Sequence, residues 1–138
     1  PAPKAALLPL FWIAQEQFGW ISPEVMELIA KRLELSKAHV YGVATFYSMV
    51  DIEPVGRHKV SICTNISCML CGADDIVSHV ESRLGIKLGE STPDGRIFLK
   101  REEECLAACC GAPMMQVNHV YHENLTVERV DAILDGLE

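Results

Sequence analysis

Six cysteines confined to two short stretches constrain this chain more than any other feature. Cys63, Cys68 and Cys71 stand at C-x4-C-x2-C, and Cys105, Cys109 and Cys110 at C-x3-C-C. A disulfide framework would require an exported protein, yet no basic segment precedes an apolar stretch, and the adjacent Cys109-Cys110 pair is awkward for simple bridging. Metal-binding thiolates in a reducing compartment fit the pattern better.

The 138 residues, 49% of them hydrophobic, suffice for one ordinary domain or two small units. The longest apolar run, Ala5 to Ala14, contains a proline and falls well short of the ~20 residues that span a bilayer, so a soluble protein is expected, neither exported nor membrane-inserted. The chain opens at Pro1 without a methionine, and an N-terminal piece either processed away or left out of this sequence is the expectation. A net charge of -7 with 12 basic residues, and no interleaving of aromatic with basic side chains, argues against a nucleic-acid partner.

Periodicity divides the chain near residue 55, and the expected domains are residues 1–55 and 56–138. The first third reads as three helices. One runs from about Ala5 to Phe18 and closes at Gly19; a second starts at Ser22-Pro23, an N-cap followed by proline, and buries Val25, Leu28, Ile29 and Leu33; a third starts at the N-cap Ser36 and carries Val40, Val43 and Phe46. The segment DIEPVGRH, 51–58, loses this period and marks the boundary. Beyond it the pattern predicts a strand over Val60 to Ile62 and a helix carrying Ile76, Val80 and Leu84, closed by Gly85. A turn at Thr92-Pro93-Asp94-Gly95 then leads to strands at Ile97 to Leu99, Met114 to Val117 and Asn118 to His122, and Thr126 caps a last helix. The expected class is α/β: a small helical bundle followed by a compact two-layer unit.

In this arrangement Cys63 ends the first strand, Cys68 lies on the loop entering the next helix, and Cys105 and Cys109 occupy the loop between the second and third strands. Sites in open α/β units gather where strand ends meet helix starts, so the two stretches can meet at one end of the sheet. Four thiolates around two ferric ions and two sulfides form a dianion, and one electron makes it a trianion. Such a centre needs donors, which the amides of residues 65–67 and of the helix start near Gly72 are placed to supply.

The stretch C-T-N-I-S-C, the run E-C-L-A-A-C-C-G-A-P-M-M-Q-V-N and the helical G-V-A-T-F-Y-S-M-V together resemble the thioredoxin-like [2Fe-2S] subunit of respiratory complex I, the NuoE family, with relatives in NAD-linked hydrogenases and formate dehydrogenases. The likeness spans nearly the whole chain, from G-W-I-S-P-E to the closing E-N-L-T-x-E-x-V-D-x-I-L. It implies a thioredoxin-like fold for the second unit and a [2Fe-2S] cluster held by Cys63, Cys68, Cys105 and Cys109. The chain departs from the family pattern at Ala107 and at Asn65, where glycine is common. By the same likeness it is an electron carrier with no catalytic site of its own. It docks through its helical part and cluster face on a flavin- and NADH-binding subunit, whose FMN exchanges single electrons with the cluster. The complex would be cytoplasmic, or peripheral on the cytoplasmic face of the inner membrane.

Other readings of the cysteines compete. C-x4-C-x2-C is also the spacing of plant-type ferredoxins, but that site leaves one of Cys105 and Cys109 without a role. Cys68-Met-Leu-Cys71 spells the C-x-x-C of dithiol oxidoreductases, an alternative that explains neither Cys63 nor the second pair. Structural zinc would use only four of the six thiols. A Rieske centre fails because no histidine stands at C-x-H or C-x2-H. Cys71 and Cys110 are expected to be buried free thiols acting as small hydrophobes. Glu102 to Glu104 form a solvated run whose charge, if close, would lower a cluster's potential. Met114 and Met115 are expected to pack in the core or shield the centre, and Phe46-Tyr47 to pack at a helix end. No phosphate-binding glycine loop and no nucleophile-base pair is present.

Overall fold

The computed structural model describes residues 2–101 and 105–138. The chain divides into two compact units, Pro1–Val55 and Gly56–Glu138.

The first unit is helical. After a 3-10 turn at Pro3–Ala6 come α1 (Leu7–Phe18), α2 (Pro23–Leu33) and α3 (Lys37–Phe46). Local chemistry sets their ends. Ser22 Oγ accepts from Val25 N–H and Ser36 Oγ from His39 N–H, while Gly19 closes α1 at φ 82°. Pro9 is tolerated because it lies in the first turn of α1, where its missing N–H has no partner to lose. Leu7, Phe11, Ile29, Leu33, Val40 and Ala44 meet in one core, but Leu28, assigned by period to the buried stripe, is 67% exposed. Gln15 ties the return segment to α1: its Nε2 donates to Met49 O at 2.9 Å and its Oε1 accepts from Asp51 N–H at 2.7 Å.

The second unit is a mixed five-stranded sheet with helices. In chain order its elements are β1 (His58–Ile62), α4 (Ile66–Leu70), α5 (Ala73–Leu84), β2 (Glu90–Ser91), β3 (Ile97–Leu99), a 3-10 turn at Cys109–Gly111, β4 (Met115–Val117), β5 (Val120–His122) and α6 (Val127–Asp135). The strand order is β2-β3-β1-β4-β5, with β1 and β3 parallel and every other pair antiparallel. Val60, Ile62, Ile97, Leu99, Met115 and Val117 alternate onto one face and pack with Ile76 and Val80 of α5 and Val130 and Leu134 of α6. The two helices are joined across their exposed sides by His79 Nε2 to Asp131 Oδ1 at 2.7 Å and Arg83 to Asp131 at 3.1 Å.

Three features differ from the sequence expectation. Residues 66–70 form a one-turn helix capped by Asn65, whose Oδ1 accepts from Ile66 N–H at 2.8 Å, so Cys68 sits on a helix and not on a loop. Glu90–Ser91 adds an edge strand too short to show an alternating pattern. Gly56, read only as part of a boundary, is required by space. A Cβ there would stand 2.5 to 2.7 Å from the Ile97 and Phe98 backbone.

Candidate metal centre

The parallel pairing of β1 with β3 directs both strands to the same end of the sheet, and both cysteine stretches leave from that end. Cys63 follows β1 immediately, its N–H bonded to Met114 O at 3.1 Å. Cys68 lies one turn into α4. Cys105 and Cys109 lie between β3 and β4, with Cys109 opening the 3-10 turn. Cys63 and Cys68 are buried, and Cys105 and Cys109 are exposed.

Their sulfurs form a chain of pairwise approaches. Cys63 Sγ contacts both Cys68 and Cys105, and Cys105 Sγ lies 3.8 Å from Cys109 Sγ. That last distance equals the edge of a tetrahedron around a metal with metal–sulfur bonds of about 2.3 Å. Among the described residues no group of three or more His, Cys, Asp or Glu side chains is arranged to hold a single metal ion. The four thiols thus form one continuous run, Cys68 to Cys63 to Cys105 to Cys109, at one end of the sheet.

Donors surround these sulfurs. The Leu106 and Asn65 amides donate to Cys63, the Met114 amide to Cys68, and the Ala107 amide to Cys105 at 3.3 Å; the Ser67 hydroxyl donates to Cys109. Burial alone would raise the Cys63 thiol, but its amide donors, with Cys68 and Cys105, outweigh this and hold it below the ordinary thiol range. Burial and the neighbouring Cys63 push Cys68 up to about 11 against the single Met114 amide. Hydrogen bonding and charge from Cys105 raise Cys109. A [2Fe-2S] cluster fits this donor set: Cys105 and Cys109 stand at tetrahedral spacing, Cys63 touches Cys68 and Cys105, and amide donors are aimed at three of the four sulfurs.

Placement of the remaining residues revises several expectations. Cys71 and Cys110 are exposed, not buried. Cys71 is the C-cap of α4, and Cys110 lies in the 3-10 turn Cys109–Gly111, both of whose cysteines are exposed. Dithiol exchange through Cys68 and Cys71 loses its physical basis, since that chemistry needs an accessible thiol of lowered pKa whereas Cys68 is 1% exposed and raised. The Asn65 amide donates as expected, but the Gly72 N–H is committed to Met69 O at 3.0 Å. Met114 packs with Cys63, Cys68 and Ala73, while Met115 belongs to the main core. Phe46 and Tyr47 pack edge to face, centroids 5.0 Å apart, although Phe46 remains 78% exposed. Glu102 to Glu104 lie outside the described residues. The donors Leu106 and Ala107, which act through backbone, and Ser67, which acts through its hydroxyl, carried no signal in the sequence.

Fold and site define a small α/β protein that gathers four thiols at one end of a mixed sheet. The chain belongs to the family of thioredoxin-like [2Fe-2S] ferredoxins, whose sequence profile matches residues 1–138. It is 44% identical over 136 residues to an NADH-quinone oxidoreductase subunit of Rhizobium meliloti, covering 99% of this chain and 80% of that one. It is 43% identical to an NADH-quinone oxidoreductase subunit of Rickettsia felis, covering 96% and 79%, and 41% identical to NADH-quinone oxidoreductase subunit 2 of Thermus thermophilus, covering 97% and 74%. Among solved structures, an NAD+-reducing [NiFe]-hydrogenase in the air-oxidized state superposes with a TM-score of 0.83 at 19% identity; the match covers 96% of this chain and 22% of the hydrogenase chain, about a fifth of its length. That likeness establishes the thioredoxin-like fold.

Proposed function

We propose that the chain is the electron-transfer subunit of an NADH:quinone oxidoreductase, with Cys63, Cys68, Cys105 and Cys109 as the ligands of one [2Fe-2S] cluster. The observation that carries this reading is the meeting of two cysteine pairs, far apart in sequence, with Cys105 and Cys109 already at 3.8 Å. The cluster supplies reversible one-electron chemistry without proton transfer. The chain's own residues hold it, aim amides at its sulfurs, and cover it from one side with Met114 and Ala73.

Residues 1–55 and 56–138 act as two domains, the first offering the exposed Phe46, Tyr41 and Leu28 to a partner. The partner of this reading is a flavin- and NADH-binding subunit whose reduced FMN gives up electrons one at a time. No helix among the described residues is long and apolar enough to cross a membrane. This accords with a peripheral position on the cytoplasmic face of the inner membrane, reached through other subunits. The hydrogenase superposition favours a second reading, a subunit of an NAD-linked hydrogenase. Identities of 40 to 44% to the oxidoreductase subunits, against 19% to the hydrogenase, decide for the first.

Anaerobic purification, iron and zinc analysis, and low-temperature EPR before and after dithionite test the assignment. About two irons per chain and a rhombic signal on reduction are expected, and Cys105→Ser should lose or alter that signal. A colourless protein that stays without iron after cluster reconstitution would sink the reading.

A further inference from the structure

The segment following β5 is laced to the turn that carries Cys109. Asn124 N–H donates to Gly111 O at 2.6 Å and Leu125 N–H to Pro113 O at 2.9 Å. Beside these bonds Glu123 lays its side chain over Gly111. A Cβ built on Gly111 would stand 2.5 Å from Glu123 Cβ and 2.6 Å from its carboxyl carbon, and closer still to Oε2. Gly111 does not occupy the left-handed region, so its missing side chain serves one purpose here: it leaves the space that the carboxylate fills.

Gly111 is two residues from Cys109. Two Cα steps of about 3.8 Å and one van der Waals contact place the carboxylate within about 11 Å of the Cys109 backbone. That is comparable to the Debye length of about 10 Å in ordinary buffer, so at the Cys109 end of the centre the charge is only partly screened and remains sensitive to salt. A cluster held by four thiolates takes up one electron and no proton on reduction, passing from dianion to trianion. A fixed anion nearby opposes that step, and no counter-ion to Glu123 intervenes among the ion pairs of the described residues.

We propose that Glu123 sets the reduction potential of this centre: admitted against the Cys109–Gly111 turn by the absence of a side chain at Gly111, its charge holds the cluster's midpoint down. The inference rests on the four-cysteine reading given above. Glu123 acts through its field on the cluster and touches no reacting atom, so it is a positioning residue.

The test is a redox titration of the full chain, isolated anaerobically, followed by EPR at low and high salt, with iron counted on each sample. Glu123→Gln keeps the shape and removes the charge. Its iron content and signal shape should match the unaltered chain while its midpoint moves positive, and the shift should shrink at high salt. The shorter pair Glu123→Asp and Glu123→Asn repeats the comparison in a second context, the Asp variant titrating below the Asn variant. Equal midpoints within both pairs at low salt, with iron retained, would overturn the inference and leave the cluster assignment standing. An unaltered chain that takes up no iron would remove the four-cysteine reading and this inference together.

Discussion

Ala107 is held at φ 61°, in the left-handed region where a β-carbon meets the neighbouring carbonyl, and its N–H points at Cys105 Sγ. The bond explains the conformation: the chain must reverse between Cys105 and Cys109 to bring both sulfurs to one place. Glycine would adopt this geometry without the steric cost. Ala107→Gly is therefore expected to stabilise the protein by about 0.5–1 kcal/mol, after the extra freedom glycine gains in the unfolded chain is offset. Equilibrium denaturation reads the change directly, and a loss of stability would show that the alanine methyl makes a packing contact worth more than the strain. Gly56 presents the opposite case. With the Ile97 and Phe98 backbone within 2.7 Å of any β-carbon, Gly56→Ala has no flexible neighbour to displace. A cost of about 1–3 kcal/mol is expected, seen as a lowered denaturation midpoint with the denaturant slope unchanged.

At the scale of elements, stability is set by caps and by the contacts that join strand to helix. Ser22→Ala removes the acceptor for Val25 N–H at the start of α2 and should cost about 1 kcal/mol. His122 on β5 contributes a pH dependence near neutrality. Burial holds its imidazole below the ordinary histidine range, and the charge of Arg129 on α6 adds to this. The folded state thus resists a proton that the unfolded state accepts, so this contribution is intact above a pH of about 6.5 and is lost as pH falls below it. His122→Gln should flatten the decline of unfolding free energy on the acid side of that value; an unchanged profile would count against the assignment. Elements of this kind differ in how plainly the sequence announces them. Ser22, Ser36 and Thr126 were legible as caps because a short polar side chain bonding a backbone amide three residues on is a local event. The edge strand Glu90–Ser91 and the one-turn helix Ile66–Leu70 were not, since two or five residues hold no period. Burial of Cys71 was expected from the usual habit of free cysteine, but at the C-cap of this short helix it is exposed. Pairing of Cys63 and Cys68 with Cys105 and Cys109 could be anticipated only as a meeting at one sheet end, because the donors around them are backbone groups that no residue type marks.

For the whole molecule a cluster on the four proposed cysteines would be a cross-link as well as a redox group. In the second unit the main core packs Val60, Leu99 and Val117 of the sheet against α5 and against Val130 of α6, while Cys63, Cys68, Ala73 and Met114 form a separate small cluster at one end of the sheet. Without metal, four thiols there contribute little packing, and two of them are exposed. A cluster bonded to all four would tie residues 63–68 to residues 105–109, closing a loop of about forty residues. By the chain-entropy account a permanent cross-link of that span is worth on the order of 4 kcal/mol, and binding to the folded state alone adds to it. Stripping the cluster with chelator under oxidising conditions, then restoring a reductant so that the thiols stay free, should lower the unfolding temperature. Hydrogen exchange should quicken most in residues 63–72 and 105–114, less in β1 and β3, and least in α1 and α2, whose core is built from Leu7, Phe11, Ile29 and Leu33. Were exchange to rise equally in α1 and α2, the stabilisation would belong to the chain at large and not to the loops that the four sulfurs join.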